Sequence, residues 1–298
     1  MFSLEIILRH IPNDYSYKKA YLDEHSKEIE ILFLGSSHTY YGINPQFFGG
    51  NCFNASHVSQ TLNFDWEIIK KYKNELDHLK YIVIPVDYFT FYLRLENGIE
   101  NWRVKNYLIY YNINTGNKFS DYFEITNGKF KDNLNRAFRY FKKHDYNDIT
   151  CNKLGFGTVF NLSTQDLVSS GKEAALKHTI SSNKYFNENV SVLNNIISFA
   201  KSRNIQVVLF TSPAFKSYVE HLNAQQLNTT IARAMSIAQS NSNVKYYNFL
   251  KDSSFTNTDF YDADHLSQAG AKKFSLKMDS LILMQNNNNI GISSKSKK

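Results

Sequence analysis

"EIEILFLGSSHTYYGINP", residues 28–45, decides how the rest of the chain is read. Its apolar run ends abruptly at Gly35 and is followed by Ser36, Ser37 and His38. A short apolar run bounded by turn residues is the pattern of a buried strand. Gly-Ser-Ser after such a strand has two readings. One is ordinary turn and N-cap chemistry, in which the hydroxyls serve only the backbone. The other arises because ligands of a parallel sheet sit beyond the carboxyl ends of its strands. A serine there can project its Oγ into a cleft, while the N–H groups of the next helical turn face developing negative charge.

Working outward, short β-rich runs alternate with helical periodicity, the signature of helices covering both faces of a mostly parallel sheet. Strands are expected over 28–35, 51–56, 81–87, 205–212 and 244–250, with helices over 64–76, 188–204, 222–241 and 267–284. In the helix at 188–204, Val190, Leu193, Ile197 and Ala200 share one face. Residues 88–186 break this rhythm. They read as a partly helical insertion running over the rim that shapes a substrate pocket, the alternative being a separate small domain. The polar, low-complexity stretch 285–298 is expected to be a disordered tail, which leaves one α/β domain over 1–284.

With 298 residues, 42% of them hydrophobic, the chain can bury one large core. The formal charge of +7 is spread along the sequence and partly carried by "SSKSKK" at 293–298, so a solvated surface is expected and no nucleic-acid partner. Cys52 and Cys151 are too few and too far apart for a disulfide framework or a metal spacing, and they read as free core thiols. No stretch approaches the roughly 18 apolar residues of a membrane span, so the chain reads as soluble. "FSLEIILRHI", residues 2–11, has apolar residues at helical spacing. It reads as an amphipathic helix that packs on the core or makes peripheral contact with a membrane.

A second clue lies near the other end, in "FYDADHLSQAGAKKF", residues 260–274. Asp262 and His265 stand three apart, so in a turn both can face one side and the carboxylate can accept the imidazole Nδ1–H. Nε2 is then free to take a proton from a serine. The bland alternative is a local Asp-x-x-His pair of no consequence, with Asp264 capping the following helix. His38 and His57 flank the proposed site on two strand-end loops and are candidate substrate contacts, with loop polarity as the alternative. His178 reads as a surface residue. No cluster has metal-ligand spacing, and there is no phosphate-binding glycine loop, so no metal or cofactor is expected.

Taken together in this order, "LGSSHT" (34–39), "NASHVSQT" (54–61) and "YDADHLSQAGA" (261–271) resemble the motif blocks of the SGNH/GDSL hydrolase superfamily. The resemblance implies a flavodoxin-like three-layer sandwich over about 28–87 and 188–284. It also implies Ser37 as nucleophile, His265 as general base and Asp262 as its orienter. Ser36 stands where the family has aspartate, and His38 where it has leucine. In the second block Ser59 replaces the glycine that lends its N–H to the oxyanion, so the implied oxyanion donors are the N–H groups of Ser37 and Ser59. The family's third block supplies an asparagine amide, and Asp87 is its nearest counterpart here. An ionised aspartate has no hydrogen to donate. Asp87 therefore joins the oxyanion hole only if protonated; otherwise it binds something else, or a donor from 88–186 replaces it.

The function the resemblance implies is hydrolysis of ester bonds through an acyl-enzyme, with an acetylated carbohydrate as the expected substrate and a bacterial cytoplasm or cell envelope as the setting. The alternatives are an O-acyltransferase that modifies a bacterial surface polysaccharide, and an inactive glycan-binding module on the same scaffold.

Overall fold

Five short runs of β-branched and aromatic residues pair into one parallel sheet: β1 (Ile31–Phe33), β2 (Cys52–Asn54), β3 (Tyr81–Pro85), β4 (Gln206–Thr211) and β5 (Val244–Asn248). The spatial order is β2-β1-β3-β4-β5, the flavodoxin-like order. The computed structural model describes residues 2–116, 118–126, 129–144, 148–161 and 166–295, with side chains through residue 283.

Each strand side feeds a separate apolar layer, because successive side chains point to opposite faces. Leu32, Ile82, Val207 and Leu209 enter one core, which the helices α2 (Asp14–His25), α4 (Leu62–Tyr72), α8 (Phe186–Ser202) and α10 (Ala224–Ser240) help to form. Ile31, Phe33, Val83 and Phe210 enter the other, beneath α11 (Gln268–Lys295) and beside α9 (Lys216–Glu220). Burial on both faces is why β1, β3 and β4 read as unbroken apolar runs rather than as alternation; the edge strand β5 is only partly buried. The remaining helices are α1 (Phe2–His10), α3 (Ser37–Gly42), α5 (Val104–Tyr111), α6 (Phe130–Lys143) and α7 (Leu167–His178).

The irregular segment 88–186 contributes α5, α6 and α7. Val104, Tyr107 and Tyr111 of α5 enter the first core, and Ala175 of α7 the second. Within that segment, residues 117, 127–128, 145–147 and 162–165 lie outside the described residues. The last helix continues to Lys295, past the boundary at 284 expected from composition, because no proline interrupts it and each added residue closes one more backbone bond. Residues 296–298 lie outside the described residues.

In this order the chain turns back between β1 and β3, and in open parallel sheets the crevice beyond the carboxyl ends at such a point is the usual place for a ligand. Phe210, fully buried and edge-on to Phe274 at 5.5 Å, anchors α11 to β4 behind that crevice. Phe210→Ala is expected to cost about 3–5 kcal/mol through the cavity it leaves. Urea unfolding would register this as a lower midpoint with little change in slope.

Candidate active site

The two serines after β1 divide the two readings between them. Gly35 takes a left-handed backbone with φ +109°, and a Cβ there would lie 2.3 Å from Pro85 Cγ, so only glycine fits between β1 and β3. Its N–H donates to buried Asp65 at 2.9 Å. Ser36 is the N-cap of α3, and its Oγ accepts the His38 N–H at 3.4 Å. Ser37 is therefore the first helical residue, where an N–H has no intrahelical partner. Among the described residues no acceptor takes it.

The loop after β5 brings the other two groups to Ser37. Asp262 Oδ1 accepts the backbone N–H groups of Asp264 at 3.1 Å and His265 at 2.8 Å, closing a tight turn. The same carboxylate takes the His265 Nδ1–H, at 2.9 and 3.1 Å from its two oxygens. Nε2 of that ring lies 2.9 Å from Ser37 Oγ. Ser37, His265 and Asp262 are thus brought together as the motif order implied. The cap of α11 is Ser267, whose Oγ accepts the Gly270 N–H at 3.2 Å, so Asp264 is not the helix cap.

Asp264 instead is buried against the back of the site. Its Oδ1 lies 3.4 Å from His265 Nδ1, and its Oδ2 lies 3.4 Å from His38 Nε2. The other nitrogen of His38 meets Asp87 Oδ2 at 2.8 Å, and Asp87 Oδ1 accepts the Ser212 N–H at 2.8 Å. This corrects the expectation for His38 and decides among the alternatives left open for Asp87. His38 does not face substrate, because its ring is enclosed between two carboxylates. Asp87 does not offer a hydrogen to an oxyanion, because its oxygens accept from His38 and Ser212. Two of the four positions where the sequence departs from the resembled motifs, 38 and 87, are partners in one buried ion pair.

Charge follows from these contacts. Burial works against protonating His265, but the carboxylates of Asp264 and Asp262 outweigh it and raise its pKa to about 10. Burial likewise opposes a charge on His38, and Asp87 and Asp264 overcome it, to about 9. His178 is not a surface residue: it lies beside Phe89 at 4.4 Å, and its Nδ1 is 3.0 Å from Tyr218 Oη. Burial holds it neutral, with a pKa lowered to about 3.

His57, the other expected substrate contact, is buried away from any cleft. It stacks on Tyr15 at 3.9 Å with Nε2 3.1 Å from Tyr111 Oη, and burial pushes its pKa well down. Ser59 has φ +60°, the left-handed region that the glycine of the resembled motif suits. Serine accepts this at a strain of about 1 kcal/mol or more. Its Oγ donates to Glu100, itself 2.7 Å from Arg103 Nε, which pins the loop. Among the described residues no acceptor takes the Ser59 N–H.

Several contributors carried no signal strong enough to be assigned from sequence. Asn54, at the end of β2, donates to the carbonyls of Thr39 at 2.9 Å and Ile43 at 2.8 Å and so holds α3 in place. Asp65, whose burial lifts its pKa to about 7, accepts from Gln60 Nε2 at 2.6 Å as well as from Gly35. Phe160, from the inserted segment, stacks between Tyr41 at 3.8 Å and Tyr261 at 3.9 Å and forms a wall beside His265 at 5.4 Å. Among the described residues, one group of metal-ligating types clusters, His38, Asp264 and His265, within 4.8 Å. Its ring nitrogens already face Asp87, Asp264, Asp262 and Ser37, which accounts for the cluster as a hydrogen-bond chain.

No protein-family model matches the sequence, and no curated protein matches it. Solved structures are similar in outline. They include a GDSL-like lipase of Bacteroides thetaiotaomicron (13% identity, 92% of this chain and 99% of that one, TM-score 0.41). A provisionally assigned acylhydrolase of Bacteroides fragilis matches at 13% identity over 91% and 97% of the two chains, TM-score 0.40. A provisionally assigned platelet activating factor protein from Streptococcus pneumonia matches at 13% over 90% of each, TM-score 0.43. At these scores the fold rests on the strand order described above.

Asp264 is the first of the two carboxylates that raise the His265 pKa, so Asp264→Asn is expected to lower it. An NMR titration of the His265 ring would show the midpoint moving to lower pH. An unchanged midpoint in a folded variant would remove Asp264 from the account.

Proposed function

We propose that the protein is a serine hydrolase of carboxylic esters, of the SGNH/GDSL type. The observation that carries this reading is the contact of His265 Nε2 with Ser37 Oγ at 2.9 Å, while Nδ1 faces Asp262 at 2.9 Å. A hydroxyl is a weak nucleophile until a base takes its proton as it attacks. In the proposed cycle Ser37 Oγ adds to the ester carbonyl and His265 Nε2 takes its proton. Asp262 and Asp264 stabilise the imidazolium. The oxyanion turns toward the N–H groups of Ser37 and Ser59, which have no acceptor of their own among the described residues. Collapse expels the alcohol, protonated by His265, and leaves the acyl group on Ser37. Water, deprotonated by the same ring, then releases the acid.

With two carboxylates on the imidazole, the neutral base is scarce near neutrality and grows with pH. The rate constant for acylation is therefore expected to climb on the alkaline side of neutrality. The Tyr41, Phe160 and Tyr261 wall beside His265 supports a substrate with an apolar or sugar face next to the ester, and we assign the substrate class as acyl, chiefly acetyl, esters of carbohydrate.

A fluorophosphonate probe is expected to label Ser37, and p-nitrophenyl acetate to be turned over. Ser37→Ala and His265→Ala are expected to lower turnover by about 10⁴–10⁶-fold. Folded protein that resists the probe would overturn the assignment. Slow release in water that a glycan acceptor accelerates, with the acyl group recovered on the sugar, would replace hydrolysis with transfer.

A further inference from the structure

The helix α6 reverses the usual arrangement of an amphipathic helix on a globular protein. Its inward side is polar: Asn133 is buried, with Nδ2 3.4 Å from the Ile125 carbonyl, and Arg136 pairs with Asp148 at 2.6 Å and Glu124 at 3.3 Å. Its apolar side faces solvent. Phe130, Leu134, Phe138 and Phe141 are 58%, 45%, 55% and 51% exposed. At 3.6 residues per turn these four fall within about 80° of arc, one continuous stripe along the helix. Lys131 and Lys142 border the stripe and are exposed, and among the described residues no carboxylate pairs with either. The neighbouring α1 packs against α6 and exposes Phe2 and Ile6, one turn apart.

We propose that this face is a membrane-docking surface for anionic phospholipid. Aromatic and aliphatic side chains enter the boundary between headgroups and acyl chains, while the bordering lysines meet lipid phosphates. Charge complementarity selects this occupant: the stripe is edged by the exposed cations Lys131 and Lys142. Among the described residues no helix is long and apolar enough to cross a membrane, so the contact is interfacial. The sequence placed peripheral contact on the N-terminal helix; the larger share of the exposed apolar surface belongs to α6.

Sedimentation with phosphatidylglycerol-containing vesicles tests this, with pure phosphatidylcholine vesicles as reference. The full chain is expected to bind the anionic vesicles more tightly and to be released in part by 0.5 M NaCl, as expected from a Debye length near 4–5 Å. Lys142→Gln is expected to weaken binding about fivefold. Phe138→Ser/Phe141→Ser, with its fold checked by circular dichroism, is expected to weaken it at least about tenfold. Phe141→Trp is expected to shift its emission to the blue on binding. Three results would overturn the proposal: no preference for anionic vesicles, binding indifferent to these substitutions, or a dimer in analytical ultracentrifugation that the double serine variant abolishes. The last would assign the face to a second copy of the chain.

Discussion

The hydrogen bond between Ser37 Oγ and His265 Nε2 joins residues 228 positions apart, and the upper rim of the sheet is organised around making it. Ser37 follows a central strand, whereas His265 follows the edge strand β5, with β3 and β4 between them. The loop carrying His265 must therefore reach back across two strand ends. Backbone bonds hold it there: the Phe215 N–H donates to the Ala263 carbonyl at 2.8 Å, and the Ala263 N–H to Ser170 Oγ at 3.2 Å. Asp87 after β3, Ser212 after β4 and His38 after β1 close the gap beneath. The His38–Asp87 and Ser212–Asp87 contacts are buried, so loosening either leaves a polar group without water or partner, which is more costly than a lost surface bond.

The second consequence is electrostatic. One imidazole faces two carboxylates, and the rearward one is shared with a second imidazole whose far nitrogen meets a third carboxylate. Such a chain favours the charged form of both rings despite their burial. In the proposed cycle this favours the state that protonates a leaving group and makes deprotonation of His265 the harder half. On that proposal, ease of activating Ser37 is traded for stabilisation of the imidazolium that attack creates.

The framework of strands and helices was legible because burial on both faces writes a strand as an unbroken apolar run, and 3.6-residue spacing writes a helix. The strands appear within three residues of the expected limits at every end. Ser37, Asp262 and His265 were legible for a different reason: each sits in a short local pattern. His38, His57 and His178 were misread, and the partner of Asp87 was left open, because a polar side chain on a loop looks the same in sequence whether it meets solvent, a ring or a carboxylate. Ser59 showed only its identity, while its demand for a left-handed backbone came from the fold.

What the sequence by itself determined is the alternation of elements, the glycine after β1 and the local turn that lets Asp262 orient His265, since these depend on neighbours a few residues apart. Only the tertiary structure decided that Asp264 and His38 join that imidazole, that Asp87 binds a histidine, and that α6 turns its apolar stripe outward. Those outcomes depend on which strand ends and helix faces meet across some 200 residues of chain, a matter of packing and burial that no local pattern encodes.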